Sequence, residues 1–84
     1  HYAVALKYDH GAMNAPIVVA KGTDAIALKI REIATANGVP LVENRPLARA
    51  LHASAEIDHP IPLEHYQAVA EVISYVMKLA RGGQ

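Results

Sequence analysis

A small α/β sandwich is the fold class this chain predicts: a mixed β-sheet surrounded by about three to four helices. Three observations point to it. The N-terminus alternates large and smaller residues with period two, a strand–helix–strand succession with tight connections follows, and a long amphipathic segment closes the chain. Three strands are visible, and a further strand is expected upstream. The 84 residues imply one domain, 1–84, with a flexible tail from about residue 81 around Gly82-Gly83.

The first strand is read over His1–Tyr8, where Tyr2, Val4, Leu6 and Tyr8 line one face and Ala3, Ala5 and Lys7 the other. A chain that starts inside a strand pattern suggests that something precedes it. Asp9–Pro16 is a loop, with Gly11, Asn14 and Pro16 as breakers. The continuous apolar run Ile17–Ala20 predicts a strand buried on both faces. Lys21-Gly22-Thr23-Asp24 offers a turn, with Thr23 or Asp24 able to cap the next helix. That helix spans about 24–36 and places Ile26, Ile30 and Ile33 on one stripe flanked by Ala27 and Ala34. Asn37-Gly38 is a left-handed stop that Pro40 reinforces. Leu41-Val42-Glu43 reads as a third strand, parallel to the second through a right-handed crossover. A short helix starts at Pro46 with Leu47, Ala50, Leu51 and Ser54 on one side; Glu56–Pro62 is a loop. The longest helix runs from Leu63 to about Ala80 and carries two apolar stripes. One comprises Tyr66, Ala70, Ile73, Met77 and Ala80, the other Val69, Val72, Val76 and Leu79. Either both stripes are buried in a thin sandwich, or one is exposed as an interaction patch.

Composition narrows the function classes. Eight basic residues balance eight acidic ones, so the basic surplus that nucleic acid requires is missing. Cysteine, Phe and Trp are absent, which leaves no disulfide or thiolate site and a core of Ile, Leu, Val, Ala and a few Tyr. No apolar run approaches the roughly 20 residues that span a bilayer, and no signal-peptide pattern appears, so the fragment reads as soluble. His10, His52, His59 and His65 form no tight ligand pair on one predicted helix, and no metal or other cofactor is assigned. Gly22 follows a strand and precedes a helix, as in phosphate loops, but one glycine and one lysine make no nucleotide motif. Ser54 and Ser74 have no recognisable elbow or base beside them. Arg45 and Arg49 either pair with Glu43 and nearby acids or meet a partner.

Several segments in order carry a resemblance: HYAVALKYD, APIVVAKGTD, IREIA, GVPLVENRPLARAL, and an Ile-Pro followed by YQAVAEVI. The combination of Val18–Gly22 with Pro46–Leu51 is the specific part. Together they resemble the cytoplasmic C-terminal domain of the FlhB/YscU family of type III export-gate switch proteins, from His1 to about Leu79. The fit to the flagellar branch is better than to the virulence-type injectisome branch.

The resemblance implies a domain following a membrane-embedded half, at the cytoplasmic face of the bacterial inner membrane. It implies one autocatalytic cut between Asn and Pro of an Asn-Pro-Thr-His motif. His1 would be the last residue of that motif, with a proton-transfer role or merely a hydrogen bond to the turn. Such a cut is a single-turnover intramolecular event, so no multiple-turnover enzyme is expected. The implied partners are the upstream fragment, export substrates (rod, hook and filament proteins), a hook-length control protein, and other export-gate and export-ATPase-complex components. Cleavage would accompany a switch from rod and hook to filament subunits. For such a domain, Ala15, Pro16, Ala70 and Ile73, with Met13 nearby, are the expected substrate contacts. The rival readings are the equivalent injectisome domain, a small α/β ligand-binding module with Gly22 at a phosphate site, and an interaction domain that never cleaves.

Overall fold

The computed structural model describes residues 1–9, 11 and 14–82, without the side chains of 81 and 82. His10, Met13 and the predicted tail beyond Gly82 lie outside the described residues. Strand β1 spans Tyr2–Lys7 and strand β2 spans Ile17–Thr23. Helix α1 spans Asp24–Ala36, helix α2 Arg45–Ser54, and a 3-10 turn at Leu63–His65 leads into helix α3, Tyr66–Gly82.

The two strands pair antiparallel, Tyr2 opposite Thr23 through Ala5 opposite Ala20, and then Leu6 opposite Val18. Val19 is therefore an extra residue in β2, a bulge, and its side chain is 44% exposed. Lys21–Thr23 belongs to β2 rather than to a turn, because Tyr2–Val4 supply it with backbone partners. Asp24 takes φ 47°, a left-handed value that a short polar side chain tolerates, as the chain leaves β2 for α1. The cap of α1 departs from expectation. The Thr23 side chain makes no capping bond, and the Asp24 amide donates to the His1 carbonyl at 3.0 Å.

The expected third strand does not form. Leu41 is 51% exposed, and residues 39–44 carry no strand. The edge of β2 that a crossover strand would need is taken. Val18 N donates to His59 O, Asp58 N to Val18 O and Ile61 N to Pro16 O, with Ile17 bridged to Pro60. The sheet is thus two antiparallel strands, not three mixed ones. Asp58, at φ 69°, makes the turn that lays this loop along β2.

One face of the sheet carries the core: Val18, Leu51, Ala55, Ile61 and Val69 are buried, with Val4, Leu6, Leu47 and Ile73 packed against them. Alternation puts Ala3, Ala5, Ala20 and Gly22 on the other face, where α1 lies. This face is so flat that α1 approaches with its small residue: Ala27 is 2% exposed, whereas Ile26 and Ile33 stay 61% and 52% exposed. The predicted isoleucine stripe is therefore only partly turned to the sheet: Ile30 is half-buried, and Ile26 lies against Gly22 while staying exposed. A Cβ on Gly22 would stand 2.2 Å from Ile26 Cγ2 and 2.7 Å from its Cβ.

Helix α2 is fixed at both ends. The Asn44 side chain accepts from the Leu47 amide at 3.2 Å, and Pro46 sits in the first turn. At the other end Lys21 Nζ donates to the carbonyls of His52 (2.9 Å) and Ala55 (2.6 Å). A cation here meets both unpaired carbonyls and the negative end of the helix dipole.

Two stability measurements follow. Gly22→Ala must push α1 off the sheet, and urea unfolding should show a loss of about 1–3 kcal/mol. Lys21→Met keeps the side-chain packing but strands two carbonyls, and should cost about 2 kcal/mol in the same assay with unchanged denaturant slope.

Candidate functional site

The C-terminal helix decides where the site lies. Of its two apolar stripes, the one through Val69 (1% exposed) faces the core, with Val72 and Val76 half-buried. The other, Tyr66, Ala70, Ile73 and Met77, forms the wall of a cleft of about 210 Å³. The sequence left open whether one stripe is exposed; here Tyr66 and Met77 remain 38% and 37% accessible, and Ala70 is exposed.

Pro16 and Ile61, both buried, form the floor, and Tyr8 and Asn14 stand opposite α3. The floor is held by backbone: Ile61 N donates to Pro16 O at 3.0 Å, which ties the Glu56–Pro62 loop to the β2 entrance. Pro16 itself has no N–H. Apolar side chains predominate, with Ser74, Asn14 and the Tyr8 hydroxyl as polar groups at its walls. Such a surface buries apolar segments by shape; among the described residues its lining has no charged side chain to fix a charged ligand.

Three of the four expected contact residues, Pro16, Ala70 and Ile73, therefore come together. Ala15 does not line the cleft; it is 8% exposed and packed inside. Tyr8 and Ile61 were not expected there. Tyr8 continues the Tyr2–Val4–Leu6 alternation past the end of β1, and Ile61 sits between two prolines that shape the loop. Those signals were present, but neither reveals that the two residues converge.

His1 is elsewhere. It is exposed at the start of β1, about 20 Å from Tyr8 at strand rise. Its carbonyl accepts the Asp24 amide at 3.0 Å. The other described histidines are dispersed. The His52 ring meets Tyr2 edge-on at 5.2 Å, His59 Nδ1 lies 3.0 Å from Ile57 O, and His65 lies 3.8 Å from Glu64. Among the described residues no three His, Asp or Glu side chains converge. Arg45 reaches Glu43 at 3.9 Å, both exposed. Gly22 cannot cradle a phosphate, since it lies within β2 and Ile26 fills the space beside it.

Among the described residues no helix is long and apolar enough to cross a membrane. Residues 1–76 match the model of the FlhB HrpN YscU SpaS family. The chain is 56% identical over 78 residues to the flagellar biosynthetic protein FlhB of Bacillus subtilis, covering 93% of this chain and 22% of that protein. It is 54% identical to FlhB of Escherichia coli K12, covering 100% of this chain and 23% of that one. The crystal structure of the cytoplasmic domain of FlhB from Shewanella putrefaciens superposes with a TM-score of 0.87 at 46% identity, over 93% of this chain and 63% of that one. The chain thus spans under a quarter of the length of these curated relatives.

Proposed function

Because the chain belongs to the FlhB HrpN YscU SpaS family, we propose that it is a cytoplasmic domain of a flagellar type III export-gate component that docks export substrates in the α3 cleft. The observation that carries this reading is the partly exposed apolar wall of Tyr66, Ala70, Ile73 and Met77 above a floor of Pro16 and Ile61. A gate must accept short segments of many unfolded chains, and a shallow apolar cleft does so without demanding one sequence. The identities of 56% and 54% to flagellar proteins favour rod, hook and filament subunits over the cargo of the equivalent injectisome domain.

In its parent, the domain would follow a membrane-embedded half and a self-cleavage site ending at His1. There the Asn side-chain amide attacks its own main-chain carbonyl, a succinimide closes, and the Pro nitrogen leaves. The step is intramolecular and single-turnover, so orientation in a tight turn replaces most catalytic machinery. The exposed end of β1 is compatible with such a turn, and His1, the last residue of the motif, would move a proton there or hydrogen-bond the turn. The preceding segment would pair with the outer edge of β1, since β2 is bordered by β1 on one side and by residues 58–61 on the other. Cleavage then frees one loop without unfolding the sheet, a local change that a hook-length control protein and other export components read as the switch to filament subunits.

Ala70 is exposed, so Ala70→Asp should unfold like the wild type, within about 0.5 kcal/mol. Calorimetric titration with N-terminal segments of rod and hook subunits should show affinity reduced at least about tenfold. Undiminished affinity in a folded Ala70→Asp, Met77→Ser variant would remove the cleft from the mechanism.

Cleavage is checked separately. The parent coding region, expressed with about 50 residues upstream of His1 to include one strand and its linker, should give two masses, the second fragment beginning Pro-Thr-His. One uncut mass, without Asn-Pro ahead of Thr-His, leaves docking standing and cleavage refuted.

A further inference from the structure

We propose that Asn37-Gly38 is a site of spontaneous deamidation, timed by opening of the turn that closes α1. The turn is a Schellman motif. Val39 N donates to Ala34 O at 2.8 Å and Gly38 N to Thr35 O at 3.2 Å, with Gly38 at φ 69°. The Asn37 side chain adds a bond from Nδ2 to Ile33 O at 2.8 Å. Both residues are exposed, and no atom lies within 4 Å of where a Gly38 Cβ would stand. No side chain crowds Gly38 at its Cα, and its nitrogen is held only by the bond to Thr35 O.

The chemistry needs only water and hydroxide. Hydroxide takes the Gly38 amide proton, and the nitrogen attacks Asn37 Cγ. The N–Cγ bond forms, the Cγ–Nδ2 bond breaks, and Nδ2 leaves as ammonia with a proton from water. Water then opens the five-membered succinimide at either carbonyl, giving aspartate or isoaspartate. At an Asn-Pro step this route is closed, because the proline nitrogen carries no proton and cannot be the nucleophile. Reaction at Asn37 is thus independent of any cut ahead of His1.

Two hydrogen bonds hold the reactants apart in the closed turn: Gly38 N is engaged by Thr35 O, and the leaving amide by Ile33 O. Reaction therefore waits for the last turn to open. That opening is a local event, since residues 39–44 beyond it are exposed and outside regular structure. The other described asparagines differ. Asn14 and Asn44 precede Ala15 and Arg45, whose Cβ atoms crowd the nitrogen, and Asn44 caps α2. Conversion of Asn37 to aspartate replaces the donor to Ile33 O with an anion at the negative end of α1. Isoaspartate inserts an extra main-chain carbon before residues 39–44. Both products lose the Nδ2 bond to Ile33 O, and isoaspartate also displaces the Gly38 and Val39 amides; the loss of ammonia makes the change one-way.

The test incubates the full chain in mildly alkaline buffer at 37 °C and follows it by peptide-mapping mass spectrometry, beside a synthetic Ile33–Leu41 peptide. The fragment containing Asn37 should become about 1 Da heavier and resolve into aspartyl and isoaspartyl forms. The rate should be about tenfold below that of the peptide, which corresponds to ~1.4 kcal/mol of opening. In denaturing urea the chain should react at the peptide's rate. No gain at Asn37 over many peptide half-lives, or an earlier gain at Asn14 or Asn44, overturns the site. Reaction of the folded chain at the full peptide rate overturns the timing by the turn.

Discussion

Lys21 leaves β2 on the core face, opposite Val4, and ends with its ammonium between the carbonyl oxygens of His52 and Ala55. Much of the remaining structure is set by that contact. It ties the end of α2 to the sheet, and so fixes Leu51 and Ala55 in the core. From Ala55 the chain runs into the loop that turns at Asp58 and lies along β2. That loop delivers Ile61, whose amide holds the Pro16 carbonyl. The cleft floor is therefore positioned through a continuous path from one partly buried cation. A small domain without cysteine, Phe or Trp has few alternatives for such a fixed point.

The opposite face of the sheet follows another rule. Alanines and Gly22 leave it flat, and α1 meets it through Ala27. Close backbone approach replaces interdigitating large side chains. The cost is that Ile26 and Ile33 gain little burial, and the larger apolar residues on that side remain accessible. The core face, in contrast, uses Val18 and Val69 as its most deeply buried side chains and draws α3 in along one stripe. Of the other stripe only Ile73 packs against the core, and Tyr66, Ala70 and Met77 are left accessible along the cleft.

Local patterns were legible wherever a single element determines them. The Tyr2–Leu6 alternation, the α1 limits, the Asn37-Gly38 stop and the paired stripes of α3 all follow from period and capping. Lys21–Thr23 looks like a turn by composition and becomes strand only because Tyr2–Val4 lie opposite. Leu41–Glu43 has strand composition but finds no free edge, since a loop far from β2 in sequence has already taken it. The same limit applies to the cleft. Ala70 and Ile73 could be assigned to one helix face, yet the burial of Ala15 and the arrival of Tyr8 and Ile61 depend on how three distant segments pack.

The engagement of the Pro16 carbonyl by Ile61 has a consequence for what kind of recognition this cleft can perform. With that acceptor engaged and no N–H on the proline, Pro16 offers a visiting backbone no donor and only an already bonded acceptor. A guest at the proposed docking site would therefore be read mainly through its side chains, over a small area, in the regime of brief encounters rather than lasting complexes. If the cleft is the docking site proposed above, short residence is the useful property: selectivity would come from repeated sampling, and no single visitor would block the queue.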